Sequence, residues 1–325
     1  MFRSLLFAIA ATAILASASA AAQADGVVKV TPLGGQDGEF CRLDRALIFE
    51  DPTGTRLLYD AGRTVAGPDD PRLGNIDVVL VSHMHGDHAG NRHTKAPNAG
   101  SCGMPDFSVD ATPNSSSANI AAKKGAKIVT GSEMAKFFAA KLKDAGGNPK
   151  DSLLVRFGAS RTIGGVKITT VPATHSNGID ASFLPGPSPL ADQMKAAGIT
   201  AYAGPPTGYV LTFSNGLVVY LSGDTGITAE QDLVVRQHYG AKLMVINIGD
   251  TFTTGPVEAA YVTNRLVQPA AVIASHANEE ATKGGKVIEG TRTAKFIAMS
   301  KVPVHVPLSG RTMSFDASAK CTEGC

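Results

Sequence analysis

The run His83-Met84-His85-Gly86-Asp87-His88 does most to constrain what this chain can fold into. It follows the apolar stretch Val78-Val79-Leu80-Val81, with only Ser82 between them. Four successive apolar residues do not alternate, so the stretch reads as a strand buried on both faces. A strand sets alternate side chains on one face, so His83 and His85 can approach one metal ion together. The chain must turn at Gly86, after which Asp87 and His88 can point at a second metal nearby. Imidazole nitrogen and carboxylate oxygen are the ligand mix of catalytic zinc or iron, in sites that keep a position open for water. A solvated His-rich loop is the bland alternative. Four ligand-type residues set hard against a buried strand weigh against it.

Other strand ends read the same way. Val166–Val171 is a strand that runs through Pro172-Ala173-Thr174 into His175. Gly208–Phe213 and Leu217–Leu221 flank Ser214-Asn215-Gly216, which reads as a tight hairpin, and the second strand ends in Ser222-Gly223-Asp224-Thr225-Gly226. Ala271–Ser275 is a strand ending in His276. Three more candidate ligands therefore sit where loops leave a sheet, the usual place for a site in such folds.

In this order the motifs resemble the metallo-β-lactamase superfamily, over roughly positions 26 to 310. Within it the likeness is to metal-dependent hydrolases related to the ascorbate-phosphate lactonases. That likeness is carried by Gly204-Pro205-Pro206-Thr207-Gly208-Tyr209, Ser222–Gly226, Ile248–Pro256 and the following Glu258-Ala259-Ala260. The resemblance implies an αβ/βα four-layer sandwich, where sequence pattern alone gives only α/β. It implies His83, His85 and His175 as ligands of one metal and Asp87, His88 and His276 as ligands of another, with Asp224 bridging. The metals it implies are two zinc ions per chain, with iron or manganese as substitutes. Asp60, after Thr55–Tyr59, matches the family's first acidic motif and suits a carboxylate that holds a ligand's second ring nitrogen. The chain departs from its relatives at Gly34-Gly35-Gln36, where they usually carry a histidine. It is also longer and richer in Gly, Pro, Ser and Asn from Asn91 to Ser117 and from Asn177 to Ala203.

The opening residues form a secretory leader over 1–24. Arg3 precedes an apolar stretch from Leu5 to Leu15, and Ala18-Ser19-Ala20 and Ala22-Gln23-Ala24 are small-x-small cleavage patterns. The apolar run is too short for a membrane anchor, and no later run is long enough to span. Residues 25–325 are therefore expected as one catalytic domain, soluble, and periplasmic or secreted. Cys41, Cys102, Cys321 and Cys325 make an even count, which in an exported protein favours disulfides. Of the three pairings allowed, Cys41–Cys102 with Cys321–Cys325 is preferred, the first tying the long insert to the N-terminal sheet next to the mouth of the site and the second closing a small loop at the tail. A net charge of +2 with both signs dispersed gives no argument for nucleic acid, and the absence of tryptophan removes a stacking platform.

Alternating signals divide the chain into halves at 27–164 and 166–315. Helices are expected at Ser117–Lys124, Ser132–Asp144, Gly226–Tyr239, Pro256–Leu266 and Thr291–Met299, with Pro256 suited to a first turn. Asp250, beside a Thr-rich turn, reads equally as a turn residue or as site lining. His93 reads as a surface histidine, and His238 and His305 as structural.

Two metals sharing Asp224 lower the pKa of a bound water, with Asp87 placed to orient it and relay its proton; these are the candidate catalytic carboxylates. A hydrolase of a small molecule is the first reading. Metal-centred redox chemistry and a non-catalytic metal-binding module are the others. Diiron members of the superfamily typically carry a carboxylate at the position of His85, and loss of activity would usually remove a ligand. Loops 91–117 and 177–207 carry no phosphate-cradling glycines and no arginine cluster. Asp224 stands where lactonases, thioesterases and phosphodiesterases of the superfamily carry a bridging carboxylate. With export against thioesters and no basic patch for polynucleotides, the resemblance implies a neutral or weakly charged lactone or ester, then a phosphodiester, with β-lactams as a weak side activity.

Overall fold

Strands that are apolar on both faces need cover on both, and two mixed sheets packed face to face under outer helices supply it. The computed structural model describes residues 25–325; the leader expected over 1–24 lies outside them. The first sheet has eight strands in the spatial order Cys321–Glu323, Met313–Phe315, Val28–Pro32, Leu47–Glu50, Arg56–Tyr59, Val78–Leu80, Lys127–Thr130, Ser152–Leu154. The second has seven, in the order Val304–His305, Ala271–Ser275, Leu243–Asn247, Val218–Leu221, Thr207–Thr212, Val166–Pro172, Ser160–Ile163. Each sheet is antiparallel at one end and parallel at the other.

Successive residues of one strand divide between different cores. Val78 and Leu80 join Leu57, Tyr59, Ile168, Leu211 and Leu221 in the layer between the sheets. Val79 joins Leu58, Ile128, Ala118 and Phe138 on the outer face, where the helices Ser116–Lys124 and Met134–Asp144 lie. On the far side Met244, Ile246 and Val272 meet Ala259, Val262 and Phe296. The four-layer sandwich follows from this division. A fully buried Val, Leu or Phe contributes about 1.5–3 kcal/mol, so each strand stabilises two interfaces at once. The Tyr209 hydroxyl lies 2.7 Å from the Val81 carbonyl and 2.8 Å from that of Val129, a polar tie between the sheets.

Two expectations change. The tail does not stay with the second half: Val28 pairs opposite Phe315, and Cys321–Glu323 adds beyond. Met313 and Phe315, two apart, both enter the inter-sheet core, which draws that strand across. The helix expected from Gly226 begins instead after Glu230, as a wide-turn helix over Gln231–His238. Residues 226–230 are held open because the Gly226 N–H donates to the Thr174 carbonyl and the Thr228 N–H to Gln231 Oε1. Within the second insert a helix forms at Pro189–Ala197, capped by Ser188 and opened by a first-turn proline.

Among the described residues no helix is long and apolar enough to cross a membrane. The cysteines form the pairs Cys41–Cys102 and Cys321–Cys325. The first joins the insert to the loop between Val28–Pro32 and Leu47–Glu50 rather than to the sheet itself. There the Arg42 N–H also donates to the Cys102 carbonyl.

Candidate metal centre

The strands Arg56–Tyr59 and Val78–Leu80 run parallel, as do Val166–Pro172, Val218–Leu221 and Ala271–Ser275 within their own sheet. Their C-terminal ends lead to Asp60, His83, His175, Asp224 and His276. The strand before His83 ends at Leu80, so His83 and His85 converge from an extended loop rather than from alternation along a strand. His83 Nε2 lies 3.0 Å from His85 Nδ1, which lies 3.2 Å from His175 Nε2. Ligand nitrogens on one tetrahedral zinc stand roughly 3.3 Å apart, so this spacing suits a shared ion.

Asp87, His88 and His276 form a second group, with His276 Nε2 at 3.6 Å and His88 Nε2 at 3.7 Å from Asp87 Oδ2. Asp224 reaches both groups. Its Oδ2 is 3.0 Å from His276 Nε2, 3.3 Å from His88 Nε2, and 3.8 Å from both His83 Nε2 and His175 Nε2. All seven residues singled out from the sequence are thus brought together. His88 Nε2 is enclosed and, among the described residues, has no hydrogen-bond partner. A buried polar atom left without one costs about 1–3 kcal/mol, and a cation among these donors removes that cost.

The supports begin at Asp60. Its Oδ1 accepts from the Ser82 N–H at 2.8 Å, and its Oδ2 accepts from the Ser82 hydroxyl at 2.7 Å and faces His88 Nδ1 at 2.8 Å. The same hydroxyl lies 2.9 Å from His83 Nδ1, so one carboxylate and one serine orient two imidazoles from different groups. Asp60 and His276 hold φ values of 41° and 52°, an uncommon left-handed conformation that clusters at functional sites. Gly223, before Asp224, has φ 62°, and a Cβ there would meet the Thr207 carbonyl at 2.9 Å. Asn247 donates to the Thr225 carbonyl and accepts from Ser222, fixing the turn that presents Asp224.

Electrostatics separates the histidines. Burial, with His88 adding, pushes His83 well below the usual imidazole value; burial also lowers His85 and His175. These three are neutral at pH 7 and offer lone pairs. Burial acts on His88 in the same sense, but Asp224, Asp87 and Asp60 outweigh it and raise that ring well above the ordinary range. Burial also opposes ionisation of Asp87 and Asp224. The His88 and His276 rings, and Arg45 at Asp87, nevertheless hold both carboxyls well below theirs. Two ionised carboxylates among imidazoles form a centre that takes a cation.

A cleft of about 610 Å³ opens onto these residues, and a second of about 570 Å³ meets it at His175 and Ser176. The first is walled by Arg42, Arg45 and Arg63, which the two insert loops gave no sign of. Arg45, 3% exposed, donates to Asp87 Oδ2 at 3.1 Å and to Asn278 Oδ1 at 2.8 Å. Ser82, Asn247 and Asn278 were also missed. Only Ser82 carried a signal, standing between the buried strand and His83.

Asp250 is exposed, and its Oδ1 accepts from the Thr251 N–H, a turn residue rather than site lining. At Gly34-Gly35 a side chain has no room, since a Cβ on Gly34 would lie 2.2 Å from Asp44 Oδ2. His93 is half-buried, its Nδ1 2.8 Å from the Thr94 carbonyl, and His238 is exposed. His305 packs edge-on against Phe315. It also lies near Cys321 and Cys325, whose sulfurs are committed to their disulfide.

A family model described as a beta-lactamase superfamily domain matches residues 55–277, a span that holds all seven residues. The chain is 27% identical over 316 residues to a UPF0173 metal-dependent hydrolase of Polynucleobacter asymbioticus, covering 93% of this chain and 96% of that protein. It is 31% identical over 238 residues to a UPF0173 metal-dependent hydrolase of Thermodesulfovibrio yellowstonii, covering 70% and 73%. Among solved structures, the metallo hydrolase Igni18 of Ignicoccus hospitalis superposes with a TM-score of 0.54 at 21% identity, over 89% of this chain and 99% of that one. At that identity the likeness concerns the fold.

Proposed function

The chain belongs to the beta-lactamase superfamily and is a metal-dependent hydrolase, and from that premise we propose an exported binuclear zinc enzyme that opens a lactone or an ester. The observation that carries this reading is the reach of Asp224 Oδ2 to four imidazoles from two ligand groups. Seven nitrogen and oxygen donors exceed what one tetrahedral ion takes, and no cysteine stands among them. His83, His85 and His175 would hold one ion and Asp87, His88 and His276 the other, with Asp224 shared. When bound, the pair polarises the carbonyl of the substrate and brings the pKa of a water toward neutrality.

The chain's own residues set the rest. Asp87 is oriented by Arg45 through Oδ2, and its Oδ1 makes no hydrogen bond among the described residues. That atom is placed to hold a proton and hand it to the departing alcohol. Asp60 and Ser82 keep the rings of His83 and His88 aimed inward. Export is supported by the leader motif and by two disulfides, which persist in oxidising compartments.

A phosphodiester is the second substrate reading, favoured by the arginines of the cleft. A hydrolase screen on the zinc-loaded mature protein tests both, across lactones, aryl esters, phosphodiesters and β-lactams. Turnover of simple lactones or aryl esters ahead of penicillins and carbapenems is the expected result. Robust β-lactam hydrolysis with no lactone, ester or phosphodiester turnover would overturn it.

A further inference from the structure

We propose that His305, Cys321 and Cys325 form a second metal site, which opens when the Cys321–Cys325 disulfide is reduced and takes one thiophilic ion, monovalent copper. It stands apart from the hydrolase centre, whose donors are nitrogen and oxygen alone.

The site sits where an edge of one sheet meets an edge of the other. His305 ends Val304–His305, an edge strand of the second sheet that pairs with Ala271–Ser275. Cys321 begins Cys321–Glu323, an edge strand of the first sheet, opposite Phe315. A nitrogen of His305 and both sulfurs lie within 4.8 Å of one another. Each donor is held by a different means. Edge-on packing against Phe315, with ring centres 5.3 Å apart, fixes the imidazole. That ring is half-buried, and among the described residues neither of its nitrogens has a hydrogen-bond partner. Burial lowers its pKa, so the ring is neutral at pH 7 and keeps a lone pair. Asp316 Oδ1 accepts from the Ser318 and Lys320 N–H groups and closes the turn that delivers Cys321. Gly324 has φ 78°, and a Cβ there would collide with the Thr312 carbonyl, so glycine is what lets the chain set Cys325 beside Cys321.

Stability is a weak reason for this disulfide. It joins residues four apart, whereas Cys41–Cys102 spans 61, and the chain entropy a bridge removes from the unfolded state grows with the loop it closes. Cys41 is fully buried, while Cys325 is exposed and open to a thiolate. Exposed disulfides are the ones that exchange. An external dithiol attacks Cys325 Sγ, and the Cys321 thiolate leaves. The second sulfur of the dithiol then displaces Cys325 and closes its own disulfide. Two electrons and two protons thus pass to the cysteines as the dithiol is oxidised. One Cu(I) then takes both sulfurs and the imidazole, and the two protons are released. Thiolates are soft donors that select Cu(I) over hard ions, and with the imidazole they complete a three-coordinate shell. In the oxidised protein both sulfurs are held in the disulfide, so this site adds nothing to the metal count of the main centre.

The test uses the whole zinc-loaded protein, treated with dithiothreitol, desalted without oxygen and titrated with Cu(I). Mass mapping of alkylated thiols should find Cys321 and Cys325 reduced ahead of Cys41 and Cys102. Copper should then raise an ultraviolet thiolate-to-metal charge-transfer band that saturates at one ion per chain. The histidine and carboxylate centre has no thiolate and contributes none of it. The band should be absent from untreated protein and from Cys321→Ser/Cys325→Ser. His305→Phe keeps a ring against Phe315 and removes only the donor. In that variant, competition with bicinchoninate should give a Kd weaker by more than about tenfold, the least that losing a group behind a ligand costs. Circular dichroism confirms that each variant is folded. A Cys321–Cys325 bridge that resists the dithiol, no band, a band that survives the double serine variant, or an equal Kd in His305→Phe would each overturn the inference.

Discussion

Asp60 shows how much one side chain decides at this centre. It holds Ser82 by backbone and hydroxyl and faces His88 Nδ1, so His83 and His88 both depend on it. Asp60→Ala is expected to weaken metal binding about 10- to 100-fold, measured by competition with a chromogenic chelator. Affinity equal to wild type would show that the rings are oriented by other contacts. Asp44 gives a pH dependence. Burial pushes its carboxyl up to about 7, against N–H donors from Cys41 and Gly35 and the charges of Arg45 and Arg72. The unfolded chain releases this proton near the ordinary value of 3.8. Between those two values the folded state binds more protons than the unfolded, so stability is greatest at the acid end and falls as pH rises through 7. Thermal melts at pH 5 and pH 7.5 should show Asp44→Asn losing less stability with pH than wild type. Parallel pH curves would contradict this. The metal-directed residues were legible because four lie within six positions and the others end strands. Arg42, Arg45 and Arg63 were not, because an arginine in a loop has no spacing signature and only the fold brings these three to one wall.

At the scale of elements, the sequence speaks clearly where burial dictates the pattern. The strand Val78–Leu80 and the stretches Leu243–Ile246 and Ala271–Ala274 of two others are buried along both faces and read as unbroken apolar runs. The helix Pro256–Tyr261 begins at its proline as its turn chemistry requires. Where tertiary hydrogen bonds decide, the pattern misleads. Residues 226–230 look helical, yet Gly226 is tied to Thr174 beside the site. The helix Pro189–Ala197 was hidden by a stretch rich in turn residues, although Ser188-Pro189 is a sound start signal. The Cys41–Cys102 bridge spans 61 residues and anchors an insert to the loop that carries Arg42 and Arg45. A Cys41→Ser/Cys102→Ser variant should lose about 2–4 kcal/mol of stability, read by urea unfolding. An unchanged unfolding midpoint would mean that the insert is held by its hydrogen bonds alone.

For the whole molecule, the seven residues come from both sheets, so the centre exists only when the sandwich is closed. The four layers were implied by resemblance, while residue pattern alone reached α/β. The return of Met313–Phe315 to the first sheet was not visible, since a three-residue strand with two apolar positions carries little periodic signal. Two ligand groups that share Asp224 call for two ions, and elemental analysis of the mature protein at metal saturation counts them. Two zinc ions per chain are predicted, with occupancy lowered in His83→Ala and in His276→Ala and unaltered in His238→Ala. Iron or manganese at the same count would change the metal and keep the architecture. One tightly bound ion or none at saturation would contradict the claim.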